Sequence, residues 1–409
     1  MGSRPTILVT DAGRGSAVSI IRSLGRRGWR VIAADADRAS LGFRSRHAAA
    51  RLVYPSPARR PAEFVQYVVT AVADYGIDLI IPVTDAAILP LSEERSRLTG
   101  MCRVAMPDPD SLRLVTDKEG TLALAAELGI RIPLSVPLES GEAGKVAAAR
   151  LGWPVVLKPR FSRIYRDRTS IEAYGVTYAN CPEDVEARLR PLEGRCDVLV
   201  QEYCAGVGYG VGLLMHEGRP LAAFQHRRIH ELPLTGGASS LRESVPLDPV
   251  LYDQSVRLLG ALRWTGLAMV EFKVGSAGPV LMEVNGRVWG SLPLAVVAGV
   301  DFPRLLAELY LVGPPAPGAK PQLRYRLGVR ARNLTLDVVW IAAAVSGIRR
   351  YPFLKTPGRG HGMIGVLELL DPRCRWDLMA LDDPGPGLAE IPRLVGTLWQ
   401  KVRKSRDRD

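Results

Sequence analysis

The first third of the chain alternates between short, unbroken apolar runs and amphipathic stretches. TILVT (6–10) reads as a strand buried on both faces. Gly13 and Gly15 follow it, then a helical pattern from Ser16 to Arg27. WRVIAADAD (29–37) predicts a second strand. A helical pattern from Glu63 to Tyr75 leads into a third strand, IDLIIPVTD (77–85). Strands alternating with helices specify a parallel, doubly wound sheet, so residues 1–115 are expected to form a Rossmann-like α/β domain.

The pattern changes after residue 115. In LVTDKEGTLALAAELGIRIP (114–133), Asp117 is placed to cap a helix running to Leu128, with Gly129 as its stop. Strand patterns then dominate, at 153–159, 173–179, 197–203, 211–216, 219–228, 266–274 and 279–285. Helical patterns at 183–190, 248–262 and 301–312 punctuate them. Residues 116–313 therefore read as α+β. VGPPAPGAKP (312–321) reads as a Pro/Gly linker. Residues 314–409 are expected to be a linker and a small basic C-terminal extension.

Composition narrows the class. The chain has 409 residues, 47% hydrophobic and 23% charged, which suits two or three globular domains rather than disorder. Asp11 interrupts the N-terminal region before a signal-peptide core could form, and the apolar run from Val338 to Ile348 is too short to cross a bilayer. The expectation is a soluble, cytoplasmic protein. The five cysteines form no CxxC pair and the five histidines no HExxH, which argues against a disulfide framework and a zinc site. His226 and His230 are read as structural. Of the net charge of +12, the segment from Ala319 to Asp409 contributes +8, from 17 Lys and Arg against 9 Asp and Glu. That asymmetry suits an acidic partner for the tail, or simply a basic proteome.

Candidate chemistry concentrates in LMEVNGRVWGS (281–291). In a strand, side chains two apart share a face, so Glu283 and Asn285 point together, and Arg287 joins them if the strand persists. A hairpin pairing 266–274 with 279–285 brings Glu271 close to Glu283. Two carboxylates and an amide oxygen are hard ligands suited to Mg²⁺, and an adjacent arginine suits a transferring phosphoryl group. The plain alternative is an Arg287–Glu283 ion pair on a solvated face. Lys158 ends one buried strand and Lys118 opens a helix, and either could reach a phosphate as a point charge. Gln201 and Glu202 end another strand, where backbone groups could read an adenine edge. HRRIHE puts Arg227 and Arg228 beside Glu231.

Taken in order, TDK (116–118), WPVVLKP (153–159), LVQEYCAG (199–206), MVEFKV (269–274) and LMEVNGRVWGS (281–291) resemble the ATP-grasp superfamily, in particular carboxylate–amine ligases related to the carbamoyl-phosphate synthase large chain. The resemblance covers residues 6–313. It implies a two-lobed ATP-grasp fold after the Rossmann-like domain. It implies that Lys118 and Lys158 bind ATP phosphates, Lys158 also lying near the adenine, that Glu202, Tyr203 and Cys204 form the adenine-binding hinge, and that Gln201 also binds ATP. Glu271, Glu283 and Asn285 become Mg²⁺ ligands, with Glu283 bridging two ions and Mn²⁺ as the substitute. Arg287 sits at the transferred phosphate, and Arg227 and Glu231 on the strand facing the triphosphate. The implied reaction activates a carboxylate as an acyl phosphate and joins it to an amine, releasing ADP and phosphate. A homodimer is a further implication.

Two departures stand out. The glycine-rich loop usual after the second lysine is replaced by RFSRIYRDRTS (160–170), with no glycine and four arginines. No acid follows the hinge in AGVGYG (205–210) to take the ribose. The arginines at 160–168 and 227–228 hint at an acidic or phosphorylated substrate.

Rival readings rest on other stretches. Gly13, Gly15 and Asp35 invite dinucleotide binding, but Val18 occupies the third glycine position. A non-catalytic ATP sensor or scaffold would be expected to have lost the metal-binding set. In the tail, Ile391, Leu394, Val395, Leu398, Trp399 and Val402 form a helical stripe flanked by Arg393, Lys401, Arg403 and Lys404. That suits either a helix docked on the core or peripheral contact with an anionic membrane. No nucleic-acid-binding module is visible.

Overall fold

The computed structural model describes residues 4–138, 148–166 and 169–406, at 137, 166 and 397–406 for the backbone alone. The first sheet is parallel, in the order β3-β2-β1-β4-β5. Its strands are β1 (Thr6–Val9), β2 (Arg30–Asp35), β3 (Ala50–Val53), β4 (Leu79–Ile81) and β5 (Arg103–Val104). The unbroken apolar run of β1 follows from its position. Ile7 and Val9 enter a core with α1 (Gly15–Arg26), while Leu8 enters the opposite core with α2 (Pro61–Tyr75). Helix α3 (Asp85–Glu93) follows β4 directly, and α4 (Pro109–Thr116) leads out of the domain, capped by Asp108.

Asp117 caps α5 (Lys118–Glu127), accepting from the backbone N–H of Glu119. A small antiparallel sheet follows in the order β10-β7-β11-β6. It contains β6 (Ser135–Leu138), β7 (Val155–Pro159), β10 (Thr177–Ala179) and β11 (Val198–Glu202), and α6 (Pro182–Leu189) packs on it through Val185 and Leu189. Within the arginine-rich region, β8 (Arg163–Arg166) pairs antiparallel with β9 (Ser170–Ala173). The single strand expected at 173–179 is therefore two, since β9 ends at Ala173 and β10 begins at Thr177.

The large sheet has seven strands in the order β16-β15-β12-β13-β14-β17-β18. These are β12 (Val207–His216), β13 (Arg219–Leu232), β14 (Ala238–Ser244), β15 (Gly266–Gly275), β16 (Gly278–Asn285), β17 (Arg330–Arg332) and β18 (Cys374–Trp376). One face packs Leu213, Val270 and Leu281 against Leu258 of α7 (Pro249–Ala261) and Trp264. The other face joins the core of the first domain through Phe224, Met269 and Trp289, with α8 (Leu292–Ala298) and α9 (Phe302–Leu311) between.

The chain beyond residue 313 extends this sheet rather than trailing from it, because β17 and β18 are its last two strands. It also supplies α10 (Leu334–Ser346), α11 (Arg359–Glu368) and α12 (Gly385–Arg406). Helix α12 packs against residues 41–44 of the first domain, and Arg393 reaches Asp37 at 2.7 Å. Of the stripe expected there, Ile391 and Val395 are exposed, whereas Leu398, Trp399, Lys401, Val402, Arg403 and Lys404 fall where side chains lie outside the described residues. Among the described residues, no helix is long and apolar enough to cross a membrane.

Candidate active site

The hairpin β15–β16 sets Glu271 directly opposite Glu283 and Met269 opposite Asn285. Asn285 Nδ2 donates to Glu271 Oε1 at 2.8 Å, so two carboxylates and one amide meet on one face. Strand β13 adds Arg228, whose Nη2 lies 2.5 Å from Glu271 Oε2 and whose Nη1 lies 3.1 Å from Glu231 Oε1. Burial opposes the charge on Arg228, and Glu271 and Glu231 more than restore it.

Space for these side chains comes from β12. Gly208, Gly210 and Gly212 fall on the same face, and a Cβ at each would meet Arg228, His226 and Trp289 respectively. The strand thus leaves its surface to its neighbours' side chains.

Two buried lysines close the other side. Lys158 at the end of β7 donates to the carbonyl of Met282 at 2.9 Å and lies 3.7 Å from Glu283 Oε2. Lys118 donates to the carbonyl of Pro159 at 2.9 Å and to Ser162 Oγ at 2.7 Å. Burial, and then the charge of Lys158, push its ammonium down to about 8. Burial would raise Glu283, but Lys158, Lys118, Arg228 and Arg287 hold it below the usual carboxylate range. Glu271 is raised by burial, against the pull of Arg228 and with the added repulsion of Glu283.

The cleft between the small and large sheets has a volume of about 590 Å³. Tyr178, Gln201, Tyr203 and Cys204 line one end, and Arg14, Gly15 and Ser16 of the first domain line the other. A smaller hollow of about 120 Å³ adjoins it, lined by Lys118, Asp85, Glu283, Asn285 and Arg287. Arg287 Nε sits 2.9 Å from both carboxylate oxygens of Asp85, the first residue of α3, which orients it. Arg163 approaches the same carboxylate at 3.8 Å.

Lys118, Lys158, Gln201, Tyr203, Cys204, Glu231, Glu271, Glu283, Asn285 and Arg287 all line these two cavities. Gln201 is buried, its amide donating to Ser135 Oγ at 2.8 Å, and burial pushes the Cys204 thiol up to about 11. Two expected residues stand elsewhere. Glu202 exchanges hydrogen bonds with Leu134, its carboxylate accepting from that N–H at 3.1 Å, and so holds the β6–β11 pairing. Arg227 pairs with Glu243 at 2.7 Å, because alternation along β13 turns adjacent residues to opposite faces. The arginine in the cleft is Arg228. The resemblance points to Arg227, which alternation would put on one face with Glu231, but a register shift after Arg228 brings Arg228 to Glu231 instead. Asp85 went unassigned too, its only signal being its place just after an apolar strand. Asp35 accepts from Gly13 N–H at 2.7 Å and Ser40 Oγ at 2.8 Å, so the carboxylate a dinucleotide ribose would need is engaged by the β1–α1 turn and by Ser40.

Residues 195–334 match the family described as ATP-grasp in the biosynthetic pathway with Ter operon. The carbamoyl phosphate synthase large chain of Archaeoglobus fulgidus is 27% identical over 282 residues, covering 66% of this chain and 24% of the relative. The chain thus spans about a quarter of that relative's length. Among solved structures, the biotin carboxylase–βγ-ATP complex from Campylobacter jejuni matches with a TM-score of 0.62 at 17% identity, over 80% of this chain and 74% of that one. The biotin carboxylase domain of Hydrogenobacter thermophilus 2-oxoglutarate carboxylase, complexed with MgADP, ADP and bicarbonate, matches at 0.61 and 17% identity over 81% and 74%. The ordered motifs and these similarities support an ATP-grasp reading of the chain, with residues 195–334 matching an ATP-grasp family model and the solved structures sharing the fold.

Proposed function

We propose that the protein is an ATP-dependent ligase that activates a carboxylate as an acyl phosphate and joins it to an amine. The observation that carries the reading is the convergence of Lys118 and Lys158 with Glu271, Glu283 and Asn285 around the cleft and its adjoining hollow. Adenine would lie between Tyr203 and Cys204 on one side and Tyr178 on the other, with the phosphates running towards the two lysines.

Among the described residues, no three His, Cys, Asp or Glu side chains group as metal ligands. The donors at this site are two carboxylates and an amide, a set that fits Mg²⁺, which takes few protein ligands and completes its shell from phosphate and water. Glu271, Glu283 and Asn285 would hold it. When bound, Mg²⁺ supplies charge neutralisation at the phosphate oxygens.

In the reaction, a substrate carboxylate oxygen attacks the γ-phosphorus and the bond to the β–γ bridging oxygen breaks, giving an acyl phosphate and ADP. The amine then attacks the acyl carbon, phosphate leaves, and the amine proton passes to solvent. The protein's part is positioning and charge. Arg287, fixed by Asp85, would meet the transferring phosphoryl group. Arg228 would neutralise it from the opposite side while fixing Glu271.

The test is ADP release from Mg-ATP across a panel of carboxylates and amines, preceded by calorimetry of ATP with and without Mg²⁺. An active pair is expected. Glu283→Gln and Arg228→Gln should each lower its rate about 10²–10³-fold, while Arg227→Gln keeps it near wild type. Absence of Mg²⁺-dependent ATP binding would remove the reading, whatever the panel returned.

A further inference from the structure

Helix α11 is turned inside out relative to an ordinary surface helix. Its buried positions are glycines. A Cβ on Gly362 would come within 2.8 Å of Val345, and one on Gly365 within 3.0 Å of Ile341, so α11 lies close against α10 with no side chain between. Its large apolar residues face outward, with Met363 59%, Ile364 57%, Leu367 69% and, just past its end, Leu370 79% exposed. Spaced at i, i+1, i+4 and i+7, they form one continuous stripe. Val366 flanks it, and Ile348, after the neighbouring α10, is also exposed. Scattered exposed apolar residues are ordinary, but a contiguous helical face is not.

The segment that carries the stripe is predominantly basic. Between residues 347 and 375, Arg349, Arg350, Lys355, Arg359, Arg373 and Arg375 are basic, and Arg349, Arg350, Lys355 and Arg359 are all exposed. The segment has two acids. Glu368 turns inward to His230 at 3.5 Å and Arg330 at 3.7 Å, and Asp371 accepts from the backbone N–H of Arg373. A second copy on this face would set one basic rim against another. A surface both apolar and anionic satisfies stripe and rim together.

We infer that the α11 face docks the protein peripherally on an anionic lipid bilayer, with Ile364, Leu367 and Leu370 in the acyl boundary and the arginines at the headgroups. This face is separate from the cleft and does not depend on the reaction proposed above.

The test is co-sedimentation of the full chain with phosphatidylcholine vesicles, with and without phosphatidylglycerol. Binding is expected only with the anionic lipid and should weaken as salt rises. Ile364→Ser/Leu367→Ser/Leu370→Ser, all at exposed positions, should lower the partition coefficient by about tenfold or more with the fold intact by circular dichroism. Arg349→Gln/Arg350→Gln should lower it in anionic vesicles. No binding to anionic vesicles at low salt overturns the inference, as does equal binding by the serine variant. A wild-type dimer in sedimentation velocity that the serine substitutions convert to monomer also overturns it, making the occupant a second copy.

Discussion

An ammonium group buried beside a second ammonium is held at a disadvantage until an anion arrives. Lys118 is in that position, with Lys158 as neighbour and its own pKa near 8 rather than 10.5. Because the folded value lies below the unfolded one, the unfolded chain binds more protons between about pH 8 and 10.5, so this lysine alone makes stability rise with pH across that window. A triphosphate reverses the local balance by favouring the charged form. At pH 8.5, ATP binding should therefore take up a proton at Lys118, and affinity should fall as pH rises above about 8. Calorimetry in buffers of different ionisation enthalpy reads the uptake, and Lys118→Met should abolish it. Wild-type binding with no proton uptake would mean that the phosphates do not reach this lysine.

Strands differed in how much of their role the sequence disclosed. Those buried on both faces, such as β1, β7 and β15, carry unbroken or nearly unbroken apolar runs. The hairpin β15–β16 disclosed its register as well, because Glu271 and Glu283 are the polar interruptions that had to meet. By contrast, β3, β5, β17 and β18 have two to four residues each and include arginines, too little for a period to show. The place of Arg228 was hidden for a related reason, since it depends on the register shift in β13 and on which face of that strand the glycines of β12 leave open. Those glycines yield a prediction at this scale. A methyl at Gly210 would press into His226 and Met269, both fully or nearly fully buried. Gly210→Ala should destabilise the protein by about 1–3 kcal/mol through overpacking, read as a lower urea midpoint with unchanged slope. An unchanged midpoint would show that the imidazole can step aside.

At the scale of the whole molecule, the first domain is fastened to the last segment of the chain through one buried arginine. Arg22 lies within α1, and its Nε is 2.8 Å from Asp383 Oδ2, with side-chain exposures of 5% and 1%. The same guanidinium donates to the carbonyls of Leu378 and Asp383, and the Asp383 carboxylate also accepts from Ser45 Oγ at 2.7 Å and the Arg46 N–H at 2.8 Å. Three segments far apart in sequence are thereby tied at one point. Burial alone would raise the Asp383 carboxyl, but Arg22, the Arg46 N–H and Ser45 hold it below its ordinary value of 3.8. Its stabilisation is therefore present at neutral pH and lost as pH falls through that depressed value. Arg22→Ala strands a buried carboxylate and should cost about 3–5 kcal/mol at pH 7 in urea unfolding. Removing both charges together, as Arg22→Met/Asp383→Leu, should cost less than the arginine substitution alone, because no unpaired ion remains. A double variant as unstable as the sum of the two singles would mean that the pair is not coupled, and that the domain is held by the apolar contacts around it.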